Sequence, residues 1–500
     1  MFVLSRKEMY KFDSYTINQV GIPGKQLMEN AGRGCSERIK RRFLPARGNV
    51  AIFCGSGNNG GDGFVIARYL GEWKQKIVIF FTGDETKMSP ETRENYQNCK
   101  KAGIRIIKLI NISDWQEGSY DLNKYDLIVD AIFGVGLKGR LKGWLIDLIK
   151  VINASSTTVV AIDIASGINA DTGMAINAVK ADYTYTMANY KYGHLLGDGR
   201  EFSGCTEIID IGIPASIYDK FPPKAFLIQE EDVIYPVRNS LYHKSKYGRI
   251  GVIAGSEGFS GAAIMACRSA LRAGGGLITL FHRKGMELIF ETQLLEVMTY
   301  TIPENNGHID FDQLFTKLQQ MDVLLMGPGM NTDHYAYELL ETVLGNWKKP
   351  TVLDADALNI ISSDPKFYHL LEDRLILPHI GEFARLKQKT SEEIIADEIS
   401  EVDEFVNQYN CYVLLKSATS LYADKENLIF DISGNDGLAT GGSGDVLSGI
   451  ITSFLGQKSS YKNAALAGSY LLGKTAEKLA EKRKPASIIP SDLIEHVFRY

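Results

Sequence analysis

The chain has 500 residues, too many for one ordinary core, so two or three domains are expected. It is 45% hydrophobic and 23% charged, as globular proteins are, and its formal net charge of -5 argues against a nucleic-acid-binding surface, which carries a basic excess. Its six scattered cysteines form no C-x-x-C pair, no apolar run approaches the ~18 residues of a membrane span, and the N-terminus lacks the apolar core of a signal peptide, so a soluble cytoplasmic protein is expected.

In chain order, SRKE at 5–8 forms a capping box and predicts a helix start. VAIFC (50–54) predicts a buried strand, GSGNNGGDG (55–63) a glycine-rich turn, and FVIARYLGEW (64–73) the helix after it. KIVIFF (76–81), DLIVDAIFG (126–134) and TTVVAID (157–163) predict further strands. Strands separated by helical segments predict a parallel sheet with covered faces, whose strand-end loops share one rim. The proline-bearing stretch IPASIYDKFPPKAFLIQEED (213–232) has no clear period, which predicts a linker. The expected organisation is a first α/β domain over 1–215, a linker over 216–232 and a second α/β domain over 233–500. The second domain opens with a strand and turn, GRIGVIAGS (248–256). A helix follows in SGAAIMACRSALRAGGG, and then strands in LITLF, VLLMG, TVLDA, LILPH, YVLLK and LIFDI.

Two glycine-rich stretches invite chemistry. GSGNNGGDG runs from a strand into a helix, where backbone N–H groups can approach a phosphate. It lacks the Walker A lysine and a clear dinucleotide fingerprint with its downstream acid. A tight turn without a ligand competes with this, although the amides of Asn58 and Asn59 are costly to bury unless something binds them. Asp130 and Asp163 end strands on the same rim, each beside glycines, and point to a site there. In ATGGSGDVLSG (439–449), Asp445 could be a cap or first-turn acid, but a cap does not need the preceding Gly441, Gly442 and Gly444. Those glycines present N–H groups suited to a transferring phosphoryl group, and Asp445 can take the proton of an attacking hydroxyl. The chemistry implied is phosphoryl transfer to an alcohol.

ATGGSGDVLSG resembles the G-x-G-D signature of the ribokinase-like superfamily. GRIGVIAGSEGFSGAA, MGPGM, LDADALN, LPHIGE, KSATS and GNDGLATGGSGDVLSG follow the order of the NAD(P)H-hydrate dehydratases. GIPGKQLMENAG, GSGNNGGDG, DAIFGVGLKG and DIASG resemble the NAD(P)H-hydrate epimerases. Together they resemble the bifunctional NAD(P)H-hydrate repair family over nearly the whole chain. The resemblance implies a Rossmann-like N-terminal domain and a ribokinase-like C-terminal one. The first would epimerise hydrated NAD(P)H, and the second would use ADP to dehydrate the S form.

The resemblance also implies site residues. Asn58, Asn59, Gly60, Gly61 and Asp62, with Gly134, Val135, Gly136, Leu137, Lys138, Gly139 and Arg140, match segments around the hydrated cofactor. Asn59, Asp130 and Ser166 match potassium ligands, and Asp163 matches the acid/base residue. Gly261, Gly329 and His379 match hydrated-cofactor contacts of the dehydratase, while Lys416, Ser417, Ala418, Thr419, Ser420 and Gly444 match adenine-nucleotide contacts. Asp445 matches the base, and Glu382 a glutamate that orders magnesium-bound water. A homo-oligomer is implied. The sequence departs from the family at Ala165 and Ile380, where proline is usual, and at Ser417, where glycine is frequent. A small-molecule kinase is the competing enzymatic reading, and a nucleotide-binding scaffold the non-catalytic one.

Overall fold

The computed structural model describes residues 1–137, 139 and 141–498. The chain divides into two compact units, Phe2–Ala225, and Phe226 onward together with Met1.

In the first unit seven parallel strands form one sheet. Their order is Arg105–Lys108, Lys76–Phe81, Asn49–Cys54, Leu127–Ala131, Val159–Ile162, Tyr183–Met187 and Cys205–Ile209. The chain therefore starts at Asn49–Cys54, winds outward to one edge, and returns to wind toward the other. The strand order reverses between Asn49–Cys54 and Leu127–Ala131, which is where such sheets open a ligand crevice. The apolar run VAIFC is explained by cover on both faces: Val50, Ile52 and Cys54 pack into one core, Ala51 and Phe53 into the other.

The predicted capping box is present, with Ser5 accepting from the Glu8 N–H to start the helix Arg6–Tyr15. The helix expected at 64–73 starts earlier, as Asn58–Glu72, so NNGGDG is its first turn and a half rather than a loop. The stretch 213–232 contains the helix Ser216–Lys220 and the strand Ala225–Leu227. Ile217 packs on Leu4, Met9 and Phe12, so this segment has apolar partners despite its irregular pattern.

The second unit holds a sheet in which Met298–Thr301, Leu277–His282, Arg249–Ile253, Val323–Met326, Thr351–Leu353, Leu375–Ile376 and Tyr412–Leu415 run parallel. Ser420–Ala423 and Leu428–Asp431 continue it antiparallel. The helix Ser443–Gly456 lies within this unit and is buried from Val446 to its end. That burial explains its apolar residues on every side.

Among the described residues no helix is long and apolar enough to cross a membrane.

Candidate functional site

A cleft of about 720 Å³ opens at the carboxyl ends of the first sheet, where the strand order reverses. Ser56, Gly57, Asn58, Asn59 and Asp62 line it from one strand end, and Ile132, Phe133, Gly134, Val135, Gly136 and Leu137 from the next. Asp163 comes from a third, just past Val159–Ile162. The glycines are partly a packing need. A Cβ on Gly60 would sit 2.0 Å from the Gly55 carbonyl oxygen, and one on Gly134 2.9 Å from an Asp163 carboxylate oxygen. Lys138 and Arg140 lie outside the described residues.

Asp163 has φ 65, the left-handed region that a non-glycine residue holds only at a cost of order 1–3 kcal/mol. Its carboxylate takes the fully buried Lys191 ammonium at 2.6 Å and the Val135 N–H at 3.3 Å. Burial pushes its pKa up, but the Lys191 charge and hydrogen bond outweigh burial and hold it below the usual carboxylate range. Lys191 is fixed in turn by Thr186 Oγ1 at 2.8 Å and the Met187 carbonyl at 2.9 Å. His194 Nε2 lies 2.9 Å from the Asp163 carbonyl oxygen, and burial drives its pKa down to about 3, so the ring is neutral. Two nearby carboxyls behave oppositely to Asp163. Burial, then repulsion from Asp163, raises Asp62 far above the usual range, and burial raises Asp13 to about 6. One ionised carboxylate, Asp163, thus faces the cleft beside Asp62, which burial drives toward its protonated form, the pattern that separates a base from an acid.

Asp130 and Ser166 also meet at this rim, which Asn59 shares. Ser166 donates to Asp130 through its hydroxyl at 2.6 Å and its N–H at 2.7 Å, and its Oγ accepts from the Phe133 N–H at 2.9 Å. Asp130 is fully buried, and burial raises it to about 6 despite these bonds. The Asn59 side-chain amide is buried with neither its oxygen nor its nitrogen hydrogen-bonded. An unpartnered buried amide, with a carboxylate and a hydroxyl on the same rim, is a donor set whose chemistry fits a hard monovalent cation.

In the second unit, the helix Ser443–Gly456 starts from Gly442, at φ 103, with no side-chain cap. Ser443 N–H bonds back to the Thr440 carbonyl, and Val446 N–H bonds to that of Gly442. Asp445 is the third residue of the helix rather than its cap. Burial, and after it repulsion from Asp354, pushes the Asp445 carboxyl up to about 7, with Lys416 pulling the other way. Lys416 Nζ is 2.7 Å from Asp354 Oδ1 and lies against Gly444. Burial raises Asp354 to about 6. It ends Thr351–Leu353, and the next residue, Ala355, is held at φ 49. His379 caps the helix Ile380–Lys387: its Nδ1 accepts from the Gly381 N–H at 3.0 Å, and Glu382 reaches back to its N–H at 2.9 Å. The cap accounts for the ring's Nδ1, and its side chain remains half-exposed. Lys416 bridges to His379 in parallel register, so the two share a rim. Ser417 and Ala418 are exposed, Thr419 is buried, and Ser420 starts the next strand. Gly261 lies in the first turn of Ser260–Arg272, with open space before it. Gly329 follows Val323–Met326, and its carbonyl takes the Ser256 hydroxyl at 2.9 Å.

Lys191, His194, Asp13 and Asp354 were missed in the sequence. Only Asp354 had a visible signal, its place in LDADALN; a lysine within YKYGH reads as an ordinary charge.

The first unit has Rossmann-like strand order, and the second has the ribokinase-like fold. It is similar in structure to a ribokinase-like superfamily protein from Enterococcus faecalis, with a TM-score of 0.50 and 24% identity over 55% of this chain and 95% of that one. Residues 24–193 match the family described as YjeF-related protein N-terminus, and residues 250–499 the family described as NAD(P)H-hydrate dehydratase. The bifunctional NAD(P)H-hydrate repair enzyme of Moorella thermoacetica is 34% identical, covering 99% of this chain and 96% of its own. That of Escherichia coli K12 is 32% identical over 96% and 90%. The chain belongs to the bifunctional NAD(P)H-hydrate repair enzyme family.

Proposed function

We propose that the first domain interconverts the R and S epimers of hydrated NADH and NADPH. The second then dehydrates the S epimer at the expense of ADP, giving the reduced cofactor, AMP and phosphate. One observation carries this reading: a single chain sets two aspartates oppositely, one just past a strand end and one in the first turn of a helix. Asp163 is held ionised by Lys191 at 2.6 Å, while Asp445 is raised to about 7 at the start of an uncapped glycine-led helix.

Epimerisation needs the C6 hydroxyl to leave and water to return on the other ring face. A protonated carboxyl, Asp62, suits the departing hydroxyl, and ionised Asp163 suits the incoming water. Asn58, Asn59 and the 134–137 loop surround the ring in this reading, while Gly60 and Gly61 let the helix pack closely behind it. Potassium would be held by Asn59, Asp130 and Ser166, and it would supply positive charge that keeps buried Asp130 ionised and ties two strand-end loops together.

Dehydration starts when Asp445 takes the C6 hydroxyl proton and the oxygen attacks the β-phosphorus of ADP. AMP leaves; phosphate then departs from C6 with its bonding electrons, and loss of a proton from C5 restores the ring double bond. The amides of Gly441, Gly442 and Gly444 face the phosphate, the Ser443 N–H being taken by the Thr440 carbonyl, and Lys416, Ser417, Ala418, Thr419 and Ser420 face the adenosine. Gly261, Gly329 and His379 hold the hydrated cofactor. Among the described residues no three His, Cys, Asp or Glu side chains form a metal cluster. Magnesium would therefore rest on nucleotide phosphates and water with help from Glu382, as it commonly does, and would supply charge neutralisation. A homo-oligomer belongs to the same reading.

The test is recovery of the reduced-nicotinamide absorbance from each separated epimer, with ADP and with ATP. Stable phosphorylation of an alcohol without recovery would instead establish the kinase reading.

A further inference from the structure

The first domain has a second cavity, of about 420 Å³, at the same rim. It shares Ser56 and Phe133 with the larger cleft, so the two are contiguous. They divide the sheet between them. The larger lies over the ends of Asn49–Cys54, Leu127–Ala131 and Val159–Ile162. The smaller lies over the ends of Asn49–Cys54, Lys76–Phe81 and Arg105–Lys108, and takes in Thr82, Gly83, Asp84, Lys87, Lys108 and Ile110. A doubly wound sheet of this order is two mononucleotide-binding halves joined at the reversal point. The proposed acid–base groups occupy one half, which leaves the other to be explained.

We propose that the smaller cavity is the adenosine subsite of the epimerase domain, with Trp144 beside the purine, Asp84 toward the ribose and Lys87 with Lys108 available to a 2′-phosphate. The inference rests on the epimerase reading above and deepens it. Each part has a counterpart in the structure. Trp144 and Ile110 both line the cavity, and Ile110 is 66% exposed, an apolar cost that a stacked base would remove. Asp84 stands three residues past the end of Lys76–Phe81, the second strand out from the glycine-rich turn. An acid in that place recognises a ribose 2′-hydroxyl in dinucleotide-binding sheets. Its Oδ1 accepts from the Thr86 N–H at 2.9 Å and hydroxyl at 2.7 Å, which fixes the carboxylate. Lys87 lies 3.8 Å from Asp84 and Lys108 3.7 Å from Glu85. Exposed ion pairs this loose contribute almost nothing, so a phosphate can replace the carboxylates at little cost. The same cavity then accepts a free 2′-hydroxyl through Asp84 or a 2′-phosphate through the lysines, and the domain handles both hydrated cofactors.

The test uses the full chain without ADP, so that the S epimer accumulates, and follows conversion of separated R epimers of hydrated NADH and NADPH by chromatography. In the double variant K87A/K108A the ratio of kcat/KM for the phosphorylated substrate to that for the other should fall about tenfold or more. A ratio within twofold of wild type overturns the subsite. Both lysines are exposed, so loss of fold does not cloud the result. A wild-type chain that leaves both epimers unchanged removes the epimerase reading and the subsite with it. A wild type that interconverts them, with the ratio unmoved, removes the subsite alone.

Discussion

Asp445→Asn tests the division of labour at the start of the Ser443–Gly456 helix. The wild-type carboxyl is raised from 3.8 to about 7, so keeping it ionised in the fold costs on the order of 4 kcal/mol. The folded value lies above the unfolded one, which fixes the sign. The stability that the neutral carboxyl contributes is full below about pH 4 and is lost as pH rises through about 7. Asparagine is neutral throughout. The variant should therefore melt with the wild type near pH 4 and above it at pH 8, by up to roughly 8 °C at about 2 °C per kcal/mol for a unit of this size. Scanning fluorimetry of the full chain at the two pH values reads this directly. In the repair assay the same variant should lose about 10²–10⁴ of its dehydration rate, while calorimetry finds ADP affinity within about threefold of wild type. A melting difference equal at both pH values would refute the electrostatic account. Loss of ADP binding along with the base would refute the separation of amide and carboxylate roles.

Asp163→Ala should abolish epimerisation while the S epimer is still repaired, measured from each epimer separately; retained epimerisation counts against the assignment. Lys191→Met leaves Asp163 buried without its partner and should cost about 3–5 kcal/mol by denaturant titration, much of it recovered in the D163N/K191M double variant. A Cβ on Gly60 collides with the Gly55 carbonyl, so Gly60→Ala should destabilise the first domain by about 1–3 kcal/mol in the same titration. Lys416→Gln removes the charge that lowers the Asp445 pKa, so the acid limb of the kcat/KM profile for dehydration should move to higher pH; an unmoved limb would detach Lys416 from the base.

The α/β class was legible because buried parallel strands are short continuous apolar runs, as VAIFC and KIVIFF are. Strands with other compositions were harder to see. Tyr183–Met187 reads YTYTM, whose alternating threonines hide a buried central strand, and Ser420–Ala423 lies where a nucleotide motif drew attention. Asp163 and Asp445 stood out because each ends or follows a glycine-marked turn. Lys191 did not, because its pairing with Asp163 joins residues 28 apart in sequence whose strands are not hydrogen-bonded to each other. The extent of the NNGGDG helix was hidden for a related reason: glycines disfavour helix locally, and here close packing against Gly55 requires them. Asp84 was out of reach because its meaning depends on which strand lies second from the turn.

The Ser443–Gly456 helix, enclosed on every side past its first turn, also limits how this domain can diversify. A rod clamped along its length cannot be retuned to a new nucleotide, because any change along it disturbs the core. Adaptation falls to the facing segment, where Ser417 and Ala418 are exposed. Grafting only residues 417–418 from a relative should shift the affinities for ADP and ATP together, since both nucleotides carry the same adenosine, whereas substitutions along the rod should change solubility and yield first.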